Sequence, residues 1–186
     1  MHAMLLETVD IPQADVIWHV ARVPEAVARG AATIEAIGAY LGAKVPRQGH
    51  YYTQAARVLG LVEAVSQSGE VVLSPYGKAF VRYDRPSQQR ALRHRMLLCE
   101  PMRSVIVALI GAGGDLDLDG IASVLQRLAP LSASTARRRA QTISAWLRDL
   151  NMAALRDGRL RYVGPRLLAG GSFDQPPARA GAAGPG

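Results

Sequence analysis

The sequence predicts a mainly α, α+β fold: two winged helix-turn-helix units in tandem, joined by a linking helix, each with a small β-hairpin wing. Three observations carry that expectation. Short stretches of apolar residues recur at helical spacing along most of the chain. Each half closes on two short apolar runs around a turn signal. The segments "LGLVEAV…GEVVLSP" (59–75) and "LNMAALRDGRLRYVGP" (150–165) can be laid over one another 91 residues apart, a weak internal repeat. The 186 residues suffice for one good core or two small ones. The expected division is 1–84 for the first unit, 85–101 for the linking helix, 102–168 for the second unit and 169–186 for a disordered tail.

In chain order, Val16, Ile17, Val20, Val23 and Val27 share a helical face interrupted at Pro24, which predicts two helical pieces or one kinked helix. Residues 33–42, "TIEAIGAYLG", form a short amphipathic helix with Thr33 as N-cap and Gly42 as C-terminal stop. In 47–60, Tyr52, Ala55, Ala56 and Leu59 make one apolar stripe, and the runs around Gln67-Ser68-Gly69 make a hairpin. Residues 76–101 give a short helix, a break at Pro86 and the linking helix.

The second half repeats this order. Residues 102–113 are an apolar helix ending in glycines. Leu118, Ile121, Leu125 and Leu128 place one face on a helix over 118–129. After "PLSAS" a longer helix runs to Leu150, with Ala136, Ala140 or Arg139, Ile143, Trp146, Leu147 and Leu150 as its stripe. Asp157-Gly158 then turns a second hairpin, and Gly60 and Asn151 both stand where a helix ends in a left-handed residue. The Gly-, Pro- and Ala-rich tail predicts disorder.

Charge is placed unevenly. Of the formal net charge of +7, residues 132–166 hold +6, with eight arginines against Asp149 and Asp157. Clustered arginine favours a polyanion, because binding releases counterions from a phosphate backbone. On the helix that opens with "SASTARRR", Arg137, Gln141, Ser144 and Arg148 are spaced 4, 3 and 4 and share a face, flanked by Arg138 and Thr142. Arginine pairs bidentately with guanine and glutamine with adenine. Arg137 therefore suits a base contact and Arg138 a phosphate. Arg139 leans toward the core edge, either packing its stem there or reaching a backbone phosphate. The hairpin adds Arg156, Arg159 and Arg161, and the equivalent place in the first unit offers Arg47, Gln48, Tyr51 and Gln54. The plainer alternative is a solvated charge run that keeps a surface helix in water.

Other chemistry finds little support. His50 has no second His, Cys or acid at metal-ligand spacing, so no metal is expected. "GAGGDLDLDG" (111–120) lacks both the Lys-Ser/Thr of a phosphate loop and the Glu of a calcium loop, and reads as a turn with Asp117 or Asp119 as N-cap. No catalytic spacing occurs, so the chain is expected to be non-enzymatic and to need no cofactor. Cys99 is the single cysteine, which excludes an internal disulfide and reads as a small buried hydrophobe. No run approaches the roughly 20 apolar residues of a membrane span, and a cytoplasmic location is expected.

"RQGHYYTQAARVLGLVEA…VVLSPYGKAFV" followed by "STARRRAQTISAWLRDL" resembles the paired winged-helix segments beside nuclease domains in some prokaryotic restriction and defence proteins. It is less closely similar to a C-terminal domain of certain transporter ATPases. The resemblance spans roughly residues 14–165 and implies a DNA-recognition or regulatory module, with matching positions Arg47, Tyr51, Tyr52, Arg137 to Arg139 and Trp146. No nuclease motif accompanies it, so cleavage is not implied. The expected activity is double-stranded DNA binding, sequence-specific or structure-guided, by a regulator or a recognition subunit of a restriction system, alone, as a homodimer or with a partner protein. The alternative is a protein–protein adaptor that docks to a nuclease or an ATPase.

Overall fold

A computed structural model describes residues 6–63, 69–113 and 115–165. The chain is mainly helical with one small antiparallel sheet. A 3-10 turn (Thr8–Asp10) leads into α1 (Ile17–Ala28), α2 (Ile34–Leu41), α3 (Pro46–Val58), α4 (Pro75–Phe80), α5 (Arg85–Leu98) and α6 (Glu100–Gly111). Then come β1 (Asp115–Leu116), α7 (Leu118–Leu128), α8 (Ala133–Asp149), β2 (Ala153–Arg156) and β3 (Arg159–Tyr162). The expected tail and the turn residues Gln67 and Ser68 lie outside the described residues. No helix among the described residues is long and apolar enough to cross a membrane.

The helix signals act where the sequence places them. Thr33 accepts from the Ala36 N–H, and Asp117 does the same for Gly120 at the start of α7. Each cap satisfies one of the donors a helix start leaves open. Gly42 closes α2 in the left-handed region at φ 72°. α1 runs unbroken through Pro24, so the choice between two pieces and one helix resolves as one helix. α5 starts at Arg85 on the Asp84 cap, with Pro86 in its first turn, where the missing N–H costs nothing.

β3 is the central strand, with β1 and β2 antiparallel on either side. Leu116 stands opposite Leu160, and Ala153 opposite Tyr162. Asp157 (φ 50°) and Gly158 (φ 75°) turn the β2–β3 hairpin as expected, because both central residues of the favoured turn need positive φ. The glycine-and-aspartate stretch differs from expectation: Asp115 and Leu116 form a strand, which pairing with β3 imposes on a two-residue segment without periodicity. The first hairpin is reduced, among the described residues, to one bridge between Val62 and Leu73. Beside it the Val71 N–H bonds the Ala32 carbonyl at 2.7 Å.

α3 and α8 end alike. The Gly60 N–H bonds the Arg57 carbonyl and the Leu61 N–H the Ala56 carbonyl; 91 residues on, Asn151 bonds Arg148 and Met152 bonds Leu147. Gly60 and Asn151 both have positive φ, at 69° and 54°. α5 reaches both ends: Arg95 Nε donates to the Leu59 carbonyl and Arg93 Nε to the Leu150 carbonyl, each at 2.6 Å. A cation is favoured there because the last carbonyls of a helix carry its negative dipole end.

The buried residues form one connected cluster drawn from both halves. It includes Ile17, Val20, Ile37, Ala55, Ala56 and Leu59, and also Ile143, Trp146, Leu147 and Leu150, all fully buried. Trp146 Nε1 donates to the Ala14 carbonyl at 2.8 Å, fastening α8 to the segment before α1. Tyr52 donates to Asp15 Oδ1 at 3.1 Å and lies 3.2 Å from His19 Nδ1. Burial and the Asp15 charge push the Tyr52 hydroxyl up to about 12.

Candidate nucleic-acid interface

The three consecutive arginines separate because each helical residue turns about 100° from the last. Ser132 caps α8, accepting from the Thr135 N–H, and the stripe from Ala136 to Leu150 faces the core. Arg137 is exposed and paired with Asp119 of α7. Arg138 is exposed, with no partner for its guanidinium group among the described residues. Arg139 is only 4% exposed, and its Nη1 donates to the backbone carbonyls of Thr8 and Ile11. Burial lowers its pKa from the ordinary value, against the pull of Tyr51 and together with the charge of Arg138. Of the two roles expected of Arg139, packing at the core edge is the one the structure shows: its guanidinium group closes on the turn before α1.

Gln141 and Arg148 are exposed as their spacing implies, but the shared face is not uniformly open. Gln141, Ser144 and Arg148 line a cleft of about 250 Å³ whose other wall includes Leu116, Leu155 and Leu160. Ser144 Oγ is buried there without a hydrogen-bond partner. Its expected role at the DNA surface is corrected, because the hairpin folds back beside this part of α8.

Arg156 and Arg161 point outward from the hairpin. Arg159 is exposed but paired with Asp115 at 2.8 Å, and that carboxylate raises its pKa. The acids of the 111–120 stretch thus do what sequence reasoning did not assign to them. Asp119 and Asp115 each hold one of the arginines expected to bind DNA. Alternating charge along the chain carried no signal for this, since the partners are 18 and 44 residues apart.

On the first half, Arg47 is exposed in the first turn of α3. Gln48 Oε1 accepts from the Lys44 N–H at 2.8 Å. Gln54 Nε2 donates to the Val9 carbonyl at 3.0 Å, and its oxygen accepts from Arg57. Both glutamines expected to reach DNA are half-buried and make hydrogen bonds within the chain, Gln48 through its oxygen and Gln54 through both amide atoms. His50 is exposed beside Tyr51, ring centroids 6.3 Å apart. Among the described residues no three His, Cys, Asp or Glu side chains converge as a metal site would require. Burial pushes the Cys99 thiol up to about 12.

The two halves meet where sequence reasoning kept them apart. Arg47 and Tyr51 of α3 stand across a cleft from Thr135, Arg138 and Thr142 of α8, with Gln13 at its edge. α8 therefore has an exposed strip with the hairpin on one flank and α3 on the other. Gln13 and Thr135 were not singled out in the sequence. Thr135 lies in the "STARRR" run, whereas nothing local marks Gln13.

A family model described as a domain of unknown function (DUF7226) matches residues 25–152. No curated protein and no solved structure matches the chain.

Proposed function

We propose that this chain, which belongs to the DUF7226 family, binds double-stranded DNA as a non-catalytic pair of winged helix-turn-helix units. α8 enters the major groove and the β2–β3 hairpin serves as the wing. The observation that carries this reading is the adjacency of two arginine-bearing elements. Arg138, Gln141 and Arg148 are exposed on α8, and the hairpin that flanks it presents Arg156 and Arg161. The order helix, strand, helix, helix, hairpin over α6 to β3 supports the winged-helix reading, as do the matching ends of α3 and α8.

Roles follow from position. Gln141 lies on the exposed face at the middle of α8, where a recognition helix in the major groove reaches base edges. Arg138, Arg156 and Arg161 suit phosphate oxygens, which position a protein without reading sequence. Arg137 joins them by exchanging Asp119 for a phosphate, an exchange that costs little because exposed ion pairs contribute about 0–1 kcal/mol. Such binding fits a regulator or a recognition subunit of a restriction assembly.

The test is the variant Arg138→Ala/Arg156→Ala/Arg161→Ala against a random-sequence duplex, followed by fluorescence anisotropy across a salt series. Each lost phosphate contact removes about 0.9 from the slope of log affinity against log salt. The slope is expected to become shallower by about 2–3, with weaker binding throughout. An unchanged slope contradicts the reading, and weak, salt-independent binding in the unaltered protein points to a protein partner instead.

A further inference from the structure

The cleft between α3 and α8 is built in a way that DNA reading by an exposed helix does not require. Its volume is about 180 Å³, below the roughly 300–1,000 Å³ of pockets for drug-sized ligands. Arg47, Arg138 and Arg139 all line it, and among the described residues no carboxylate does. Three guanidinium groups around so small a space repel one another unless an anion lies between them.

A second feature belongs to the same wall of the cleft. Arg139 is more than nine-tenths buried; its Nη1 is engaged by the Thr8 and Ile11 carbonyls, and its Nε, buried as well, has no hydrogen-bond partner among the described residues. A buried charged donor left open costs several kcal/mol unless something accepts from it. Neutral donors are also at hand. Ser132 Oγ donates to Thr135 Oγ1, which leaves the Thr135 hydroxyl proton for another acceptor, and the Tyr51 hydroxyl belongs to the same wall. Arg47 and Thr135 sit in the first turns of α3 and α8, where the helix dipole is positive.

We propose that this cleft is a phosphoryl-binding site, in which Arg47, Arg138 and the buried Arg139 hold a phosphate group with help from the Tyr51 and Thr135 hydroxyls. Guanidinium groups match phosphate by paired N–H donors, and a tetrahedral anion accepts from several directions at once. The phosphate belongs either to the backbone of a bound duplex or to a free phosphorylated small molecule. Both sources present the same oxygens to the cleft.

The experiment titrates the full chain with sodium pyrophosphate at constant ionic strength and follows backbone amide NMR shifts. Saturable shifts are expected in the first turns of α3 and α8. Arg47→Gln and Arg138→Gln, both changes of exposed side chains, are expected to weaken binding about tenfold or more. Arg82→Gln, an exposed arginine outside the cleft, should bind as the unaltered protein does, and thermal melts confirm that all three variants fold. A second arm adds a random-sequence duplex. Competition between pyrophosphate and duplex, with both cleft variants weakening the duplex, supports the backbone as source. Pyrophosphate bound alongside an unaffected duplex supports a small-molecule ligand. Absence of saturable shifts, or equal affinity in the two cleft variants and the unaltered protein, overturns the proposal. That result leaves the DNA reading standing if the duplex still binds, so the two fail separately.

Discussion

Arg139 is the residue at which charge and packing compete, and packing decides its role. A buried guanidinium group carries a desolvation penalty of several kcal/mol, offset here by the Thr8 and Ile11 carbonyls. Arg139→Met keeps much of the side-chain bulk but strands the buried Ile11 carbonyl. It should lower unfolding stability by about 1–3 kcal/mol, read as a lower urea midpoint. An arginine whose side chain served only to contact DNA would leave the midpoint unchanged and weaken only the duplex. The sequence carried half of this: the 100° step turns the third arginine toward the stripe that contains Ala136 and Ile143. The carbonyls it would meet lie some 130 residues away, and no local pattern marks them. Ser144 shows the converse. Its spacing from Gln141 and Arg148 is that of an outward residue, and only the fold-back of the hairpin buries its hydroxyl.

Among the elements, α5 has the most consequence for its neighbours, because Arg93 and Arg95 hold the ends of α8 and α3. Gly60 is the sensitive point of that arrangement. At φ 69° an alanine is strained by about 1–2 kcal/mol, and its Cβ would run into the Arg95 guanidinium group, displacing it from the Leu59 carbonyl. Gly60→Ala should therefore cost more than the backbone strain alone. Asn151→Gly, at the equivalent place with φ 54°, should leave the midpoint nearly unchanged, since glycine accepts that conformation freely. Paired thermal or urea melts of the two variants check the contrast. Helices and their caps were legible in the sequence, as were Gly60, Asn151 and the Asp157-Gly158 turn, because each depends on a few adjacent residues. β1 was not, because a two-residue strand has no periodicity and exists only through its pairing with β3.

At the scale of the molecule, the two halves share a single buried cluster, yet the charge excess belongs to one of them. The N-terminal segment crosses to the second half through the Trp146 indole, the Arg139 guanidinium group and the bond from the Leu6 N–H to the Leu128 carbonyl. These contacts leave α3 across a cleft from α8. Arg47 and Tyr51 consequently join the α8 arginines in one cationic face, which reading the halves separately could not reveal. Several of its cations, Arg138, Arg148, Arg156, Arg161 and Arg47, are exposed to solvent. The measurement that tests DNA binding most directly is the affinity of the unaltered chain for a random-sequence duplex across a series of salt concentrations. With about four phosphates neutralised, log affinity should fall against log salt with a slope of about −3.6. A slope near zero, or no binding at low salt, contradicts the proposal that this face meets DNA.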